Sequence, residues 1–199
     1  DQGAATGVLI DTAMAMVYRV MPPPSASELM AFELRAMEYL ASLGVTSVHD
    51  AGINATEVRA FQALRDRQQM PIRVYAMLNV LDPANDEFLD SGPIPGPQRL
   101  LDIMSVKISA DGALGSRGAA LFEDYSDEEG NKGLLLLNDE QLSFHMNRAM
   151  ASGYQVNTHA IGDLANARVL DYYQQLIKKH DSRDLRHRIE HSQILRLQD

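Results

Sequence analysis

The chain has 199 residues, of which 45% are hydrophobic, so it is long enough to bury the core of one large domain. Its 18 basic and 27 acidic side chains give a formal charge of −9, and no cluster of Lys and Arg offers a surface to phosphate backbones, so no nucleic-acid partner is expected. The absence of cysteine excludes disulfides and thiolate chemistry, and no apolar stretch approaches the roughly 20 residues that span a bilayer, so no membrane partner is expected either.

Predicted helices and strands alternate along the chain. Three helix starts carry residues that can satisfy the free backbone N–H groups of the first turn: Ser25 with Glu28, Asn54 with Glu57, and Asn138. A fourth long helix is predicted to begin at Asp163 as its N-cap. Short runs bounded by turn residues predict five strands: 45–49, 72–78, 104–109, 155–159 and 186–191. The long irregular segments are 81–99 and 111–137.

This alternation predicts an α/β fold with a parallel sheet and helices outside it, either as a closed barrel or as an open doubly wound layer. A complete (β/α)8 barrel of the TIM type takes about 250 residues, whereas five strands here occupy 199. The sequence therefore predicts part of one barrel. An open flavodoxin-like sheet is disfavoured, because the loop after the first strand lacks phosphate-binding chemistry.

Three predicted strands end in or near residues that can hold a metal ion: Lys107, His159 and His191. Taken alone, each has a simpler explanation, since a single histidine at a strand end is more often hydrogen-bonded and a single lysine more often ion-paired or extended to solvent. Two histidines at successive strand ends favour the metal site. His49 and Asp50 also end a strand, and a supporting or structural role is favoured for them.

The segment 111–118 follows the predicted strand 104–109. It contains one acid and one base, Asp111 and Arg117, which are candidate substrate-binding residues. The segment matches neither of the glycine-rich phosphate-binding patterns, and no G-x-S-x-G nucleophile motif occurs. For Arg117, an internal ion pair with Asp111 or Glu123 is an equally good prediction.

Several blocks of the sequence together resemble the family-3 branch of the amidohydrolase superfamily, which includes YtcJ-like proteins and N-substituted formamide deformylases. The blocks occur in the same order as in that family: 44–52, 106–117, 133–136, 158–163 and 186–193. The resemblance implies a distorted barrel with one or two divalent metal ions, usually zinc, at the carboxyl ends of the strands. His159 and His191 match the ligands after the fifth and sixth strands, and Lys107 matches the fourth-strand lysine that many relatives carboxylate.

The family pattern is incomplete in this chain. No H-x-H pair of the first strand occurs, and the last-strand aspartate that relatives use as general base is expected beyond residue 199. We therefore expect an internal fragment of one hydrolase barrel domain, covering about strands two to six, without the first strand, the last two strands and the β-sandwich. Such a fragment is expected to be inactive by itself, to hold metal weakly or not at all, and to favour homo-oligomers through its exposed sheet edges.

For the full-length protein the resemblance implies hydrolysis of C–N bonds other than peptide bonds in a small-molecule substrate, through a metal-activated water. The alternative is a non-catalytic binding or regulatory protein that retains the barrel without the metal. Metal content and its effect on hydrolysis discriminate between the two.

Overall fold

A computed structural model describes residues 7–9 and 11–199, without the side chains of residues 11 and 12. The strands are β1 (Ser47–Ile53), β2 (Arg73–Asn79), β3 (Leu101–Ser109), β4 (Gln155–Ala160) and β5 (Arg188–His191). The helices are α1 (Ala15–Tyr18), α2 (Ala26–Ser42), α3 (Ala55–Asp66), α4 (Asp86–Ser91), α5 (Asp139–Ala151) and α6 (Asp163–His180). In this part of the chain, no helix is both long and apolar enough to cross a membrane.

The five strands form one sheet in the order β1-β2-β3-β4-β5, and every neighbouring pair is parallel. One contact shows that the sheet is strongly curled. The Arg188 guanidinium on β5 lies 3.3 Å from Nδ1 of His49 on β1, although three strands separate the two. A flat sheet would hold the first and fifth strands about 19 Å apart at the usual spacing of about 4.8 Å. The predicted partial barrel with external helices is therefore confirmed.

Local capping signals explain where the helices begin. The side chains of Ser25, Asn54 and Asn138 each accept a backbone N–H of the first helical turn. The side chain three positions later accepts the backbone N–H of the capping residue. The prediction for Asp163 is off by one position. Gly162 takes the N-cap and Asp163 is the first residue of α6, where its carboxylate accepts the N–H of Leu164 and that of Phe122 from a distant loop.

The two faces of the sheet differ in chemistry. Apolar side chains on the outer face pack under the helices and form the core, for example Val74, Ala76 and Leu78 on β2. Strand residues at the alternate positions point to the concave inner face, where many are polar. In a barrel the active site lies at the carboxyl rim, where the loops leave the strands.

One predicted irregular segment contains a helix that its sequence did not signal. Helix α4 has six residues, too few for a helical period to be visible. It is held by the buried Tyr154, whose hydroxyl lies 2.7 Å from the carbonyl oxygens of both Phe88 and Gly92. The remainder of this segment includes a backbone bridge from Ile94 to Ile103 of β3.

Two acidic side chains, Glu33 on helix α2 and Asp50 on strand β1, lie on the outer side of the sheet. Burial, together with the charges of Asp50 and Glu57, raises the pKa of Glu33 to about 7. Burial and Glu57 also raise the pKa of Asp50. The pair is remote from the inner face, and its consequence is one for stability.

Candidate active site

The register of the sheet places the candidate site residues in two adjacent rows. Lys107, Asn157 and Arg188 are paired across β3, β4 and β5, and the next inward-facing row contains Ser109, His159 and Glu190. Residues paired across parallel strands point to the same side of a sheet. The strand positions therefore bring Lys107 and His159 to one face, with Lys107 one row further from the carboxyl rim.

His191 reaches this face through an irregular backbone. It follows Glu190, so regular alternation would turn it towards the helices. Its φ of 82° ends the alternation, and its ring lies 4.5 Å from that of His159, centroid to centroid, in an edge-on arrangement. A positive φ at a residue with a side chain costs about 1 to 3 kcal/mol, and such strain is concentrated at functional sites.

The Lys107 amine makes its hydrogen bonds to the next two residues of its own strand, Ile108 and Ser109. Nζ lies 3.3 Å from Oγ of Ser109, the residue paired with His159, and it makes no ion pair with any residue the structure describes. Burial lowers the pKa of Lys107, and the charge of Glu190 acts in the opposite direction. Burial first, and then the charges of His159 and Lys107, lower the pKa of His191.

These three residues fit a metal ion in part. Two imidazoles side by side are good ligands for zinc, but an ammonium group is not a ligand. Within the described residues, 7–9 and 11–199, there is no group of three or more His, Cys, Asp or Glu side chains that could hold a metal ion. A complete site therefore requires either a modified Lys107 or ligands from elsewhere in the protein.

Asp111 is not exposed at the mouth of the site, where a substrate contact was predicted. Its carboxylate is fully buried and accepts three backbone N–H groups: Ile161 at 3.0 Å, Gly162 at 2.8 Å and Ala120 at 3.0 Å. Because its oxygens are occupied and shielded from solvent, Asp111 acts as an internal anchor.

Arg117 lies outside the cluster of Lys107 and the histidines. It is half-exposed, and its guanidinium pairs with Asp127 at 2.8 Å and with Glu128 at 3.2 Å. The predicted alternative of an internal ion pair is correct in kind, but its partners are not Asp111 or Glu123. The long loop folds back on itself, which brings residues ten positions apart into contact.

Sequence reasoning gave no role to two residues beside the histidines, Arg188 and Glu190. They form an ion pair of 2.9 Å on the inner face. Asn157, between Lys107 and Arg188, is fully buried, and neither end of its amide has a partner among the described residues. The period-two spacing of the two strands places all three on the inner face, and this was the signal that could have found them.

The chain belongs to the amidohydrolase family, whose model matches residues 1–199. Protein LONG AFTER FAR-RED 3 of Arabidopsis thaliana is 34% identical to it over 97% of this chain and 35% of that protein. The YtcJ protein of Bacillus subtilis (strain 168) is 30% identical over 97% of this chain and 36% of its own length.

A solved structure shares the fold. The crystal structure of an uncharacterized metal-dependent hydrolase from Pyrococcus horikoshii OT3 is similar with a TM-score of 0.76 and 30% identity, over 93% of this chain and 36% of that one. The chain thus spans about a third of the length of the relatives it matches.

Proposed function

We propose that the protein containing this chain is a metal-dependent hydrolase of C–N bonds in small amide-like or formamide-like substrates, other than peptides. The observation that carries the proposal is the 4.5 Å contact between the rings of His159 and His191 at the carboxyl rim of a half-barrel. Family membership supports it, and so does the likeness to a solved metal-dependent hydrolase.

In this proposal His159 and His191 hold a divalent metal ion, for which zinc is the expected identity. When bound, the metal polarises the substrate carbonyl and lowers the pKa of water towards about 7. The histidines act as neutral ligands, and the lowered pKa of His191 agrees with that state at neutral pH. The family resemblance assigns the general base to an aspartate outside this chain; the Asp111 carboxylate, 3.4 Å from His159, is already occupied by three backbone N–H groups.

Lys107 is proposed to join the ligand set as a carbamate. After its ammonium group loses one proton, the amine nitrogen bonds to the carbon of carbon dioxide and releases a second proton to solvent. The modification replaces a cation with an anion, which removes the repulsion between Lys107 and a metal ion. The half-buried amine that no described carboxylate pairs with supports this assignment. Intact mass spectrometry at neutral pH should show the mass of one added carbon dioxide, and Lys107→Met should lack it.

The test is the zinc content of the complete protein and its hydrolysis of a panel of N-substituted formamides and amides. We expect at least one zinc per chain in the wild type, and loss of more than half of it in His159→Gln and in His191→Gln. His145→Gln is the matched control, because His145 lies on the external helix α5, where its ring contacts Phe144 and not the two site histidines. Less than one equivalent of zinc, with no hydrolysis after metal addition, would support a non-catalytic binding protein instead.

A further inference from the structure

Asp111 joins two segments of the chain above the sheet. One carboxylate oxygen, Oδ1, accepts the N–H of Ile161, and the other, Oδ2, accepts those of Ala120 and Gly162. Ala120 belongs to the long loop after β3, while Ile161 and Gly162 connect β4 to α6. Three N–H donors hold the carboxylate in one orientation, and hydrogen bonds to a charged acceptor are stronger than those to a neutral one.

The same carboxylate faces the ring of His159. Nε2 of His159 lies 3.4 Å from Oδ1 of Asp111 and 3.3 Å from the carbonyl oxygen of Gly112. The hydrogen bond is with the Gly112 carbonyl oxygen, which can only accept, so Nε2 carries the ring hydrogen, and the nearby Asp111 carboxylate favours that arrangement through its charge. A neutral imidazole with its hydrogen on Nε2 presents its lone pair on Nδ1.

We propose that Asp111 is a positioning residue for His159. Its anchored carboxylate, with the adjacent Gly112 carbonyl, holds the ring with the hydrogen on Nε2 and leaves Nδ1 as the nitrogen available to a metal ion. The part that concerns the metal rests on the proposed function. Outer partners of this kind set the tautomer and the direction of a ligating histidine.

A second aspartate provides a matched control for the simpler role of fastening the loop. Asp163 accepts the N–H of Phe122 from the same loop at 3.1 Å and that of Leu164 at 2.9 Å. Like Asp111, it holds the loop to α6, and in the part of the chain that the structure describes its carboxylate accepts only these two backbone N–H groups. An effect on the histidine ring that appears in Asp111→Asn and not in Asp163→Asn is therefore specific to the contact with His159.

The experiment measures the tautomer of His159 in the complete protein, labelled with 15N-histidine and freed of metal by a chelator. Long-range 1H–15N spectra at pH 8, assigned with His159→Gln, should show hydrogen on Nε2 and a bare Nδ1 in the wild type. In Asp111→Asn the ratio of the Nε2–H to the Nδ1–H form should fall about tenfold, because the amide lacks the charge that favours the donor. Asp163→Asn should leave the ratio unchanged.

Three results would overturn the proposal: a wild-type ring with its hydrogen on Nδ1, an unchanged ratio in folded Asp111→Asn, or an equal change in Asp163→Asn. The first needs no substitution at Asp111, so the test stands even if Asp111→Asn does not fold. Zinc titration separately shows whether the metal matters: Asp111→Asn should weaken zinc binding by about 10- to 100-fold. A wild type that binds no zinc would refute the proposed function and leave the tautomer result to be judged alone.

Discussion

Replacing Gly162 with alanine should release the long loop from the start of helix α6. Gly162 has an ordinary φ of −73°, so backbone strain is not the reason. A Cβ there would meet the carbonyl oxygen, carbonyl carbon and nitrogen of Ala120, all within 3.0 Å, a distance that real Cβ atoms essentially never show. All three are backbone atoms, so no side chain can rotate away, and the two segments must separate.

The structure sets the size of the effect. Separation breaks the bond from Leu164 N–H to the Ala120 carbonyl and strains the bonds from Gly162 and Ala120 to Asp111. A neutral hydrogen bond contributes about 0.5 to 1.5 kcal/mol and a charge-assisted one about 1.5 to 3 kcal/mol. We expect Gly162→Ala to lose about 3 kcal/mol of unfolding free energy, which for a chain of this size lowers Tm by about 6 to 12 °C.

The assay is thermal and urea unfolding followed by circular dichroism, with Gly115→Ala as the matched control. Gly115 lies in the same loop, and a Cβ added there would have no neighbouring atom within 4 Å, so its variant should differ from the wild type by less than about 0.5 kcal/mol. A Tm for Gly162→Ala within about 2 °C of the wild type would refute the claim that the loop is packed against α6 through backbone contact.

Two further predictions concern protonation and a buried hydroxyl. Since Glu33 has a pKa of about 7 in the fold against 4.5 for the free side chain, its favourable contribution is complete below pH 4.5 and is lost as pH rises through 7. Glu33→Gln should therefore match the wild type below pH 4.5 and exceed its unfolding free energy by about 1 to 2 kcal/mol at pH 8, with Glu38→Gln, on the exposed side of the same helix, as the matched control. A difference that stays constant between the two pH values would contradict the burial of Glu33. Tyr173→Phe should lower the free energy of unfolding, measured in urea, by about 1 to 3 kcal/mol, because the buried hydroxyl lies within 3.0 Å of the Val156 and Arg188 carbonyl oxygens. Tyr39→Phe, at an exposed position, is the control, and equal stability of the two variants would contradict this role of Tyr173.

Local chemistry made much of the fold predictable. Capping pairs such as Asn54 with Glu57 act within one helical turn, so they mark helix starts whatever surrounds them. Strand positions were predictable to within a few residues, and β3 begins at Leu101, three positions before its predicted start. Helix α4 was missed because six residues carry no visible period.

The types of the central site residues were also predictable, because the carboxyl ends of parallel strands meet at one rim whatever the loops do. Lys107 and His159 follow from that rule. The face on which His191 lies could not be predicted from that rule, because the positive φ of His191 reverses the alternation of side chains there. The surroundings of Asp111 and Arg117 depend on the path of a long loop, and no local pattern encodes that path.

The amino-acid sequence by itself determined the alternation of helices and strands and which residues end the strands, since these depend on short-range spacing. The partial-barrel class followed from the chain length and the family resemblance. Only the tertiary structure decided which nitrogen of His159 faces Asp111, which partners Arg117 takes and that Gly162 touches the loop. These contacts join residues 10 to 50 positions apart, and their geometry arises only when the packed sheet and loop bring the segments together.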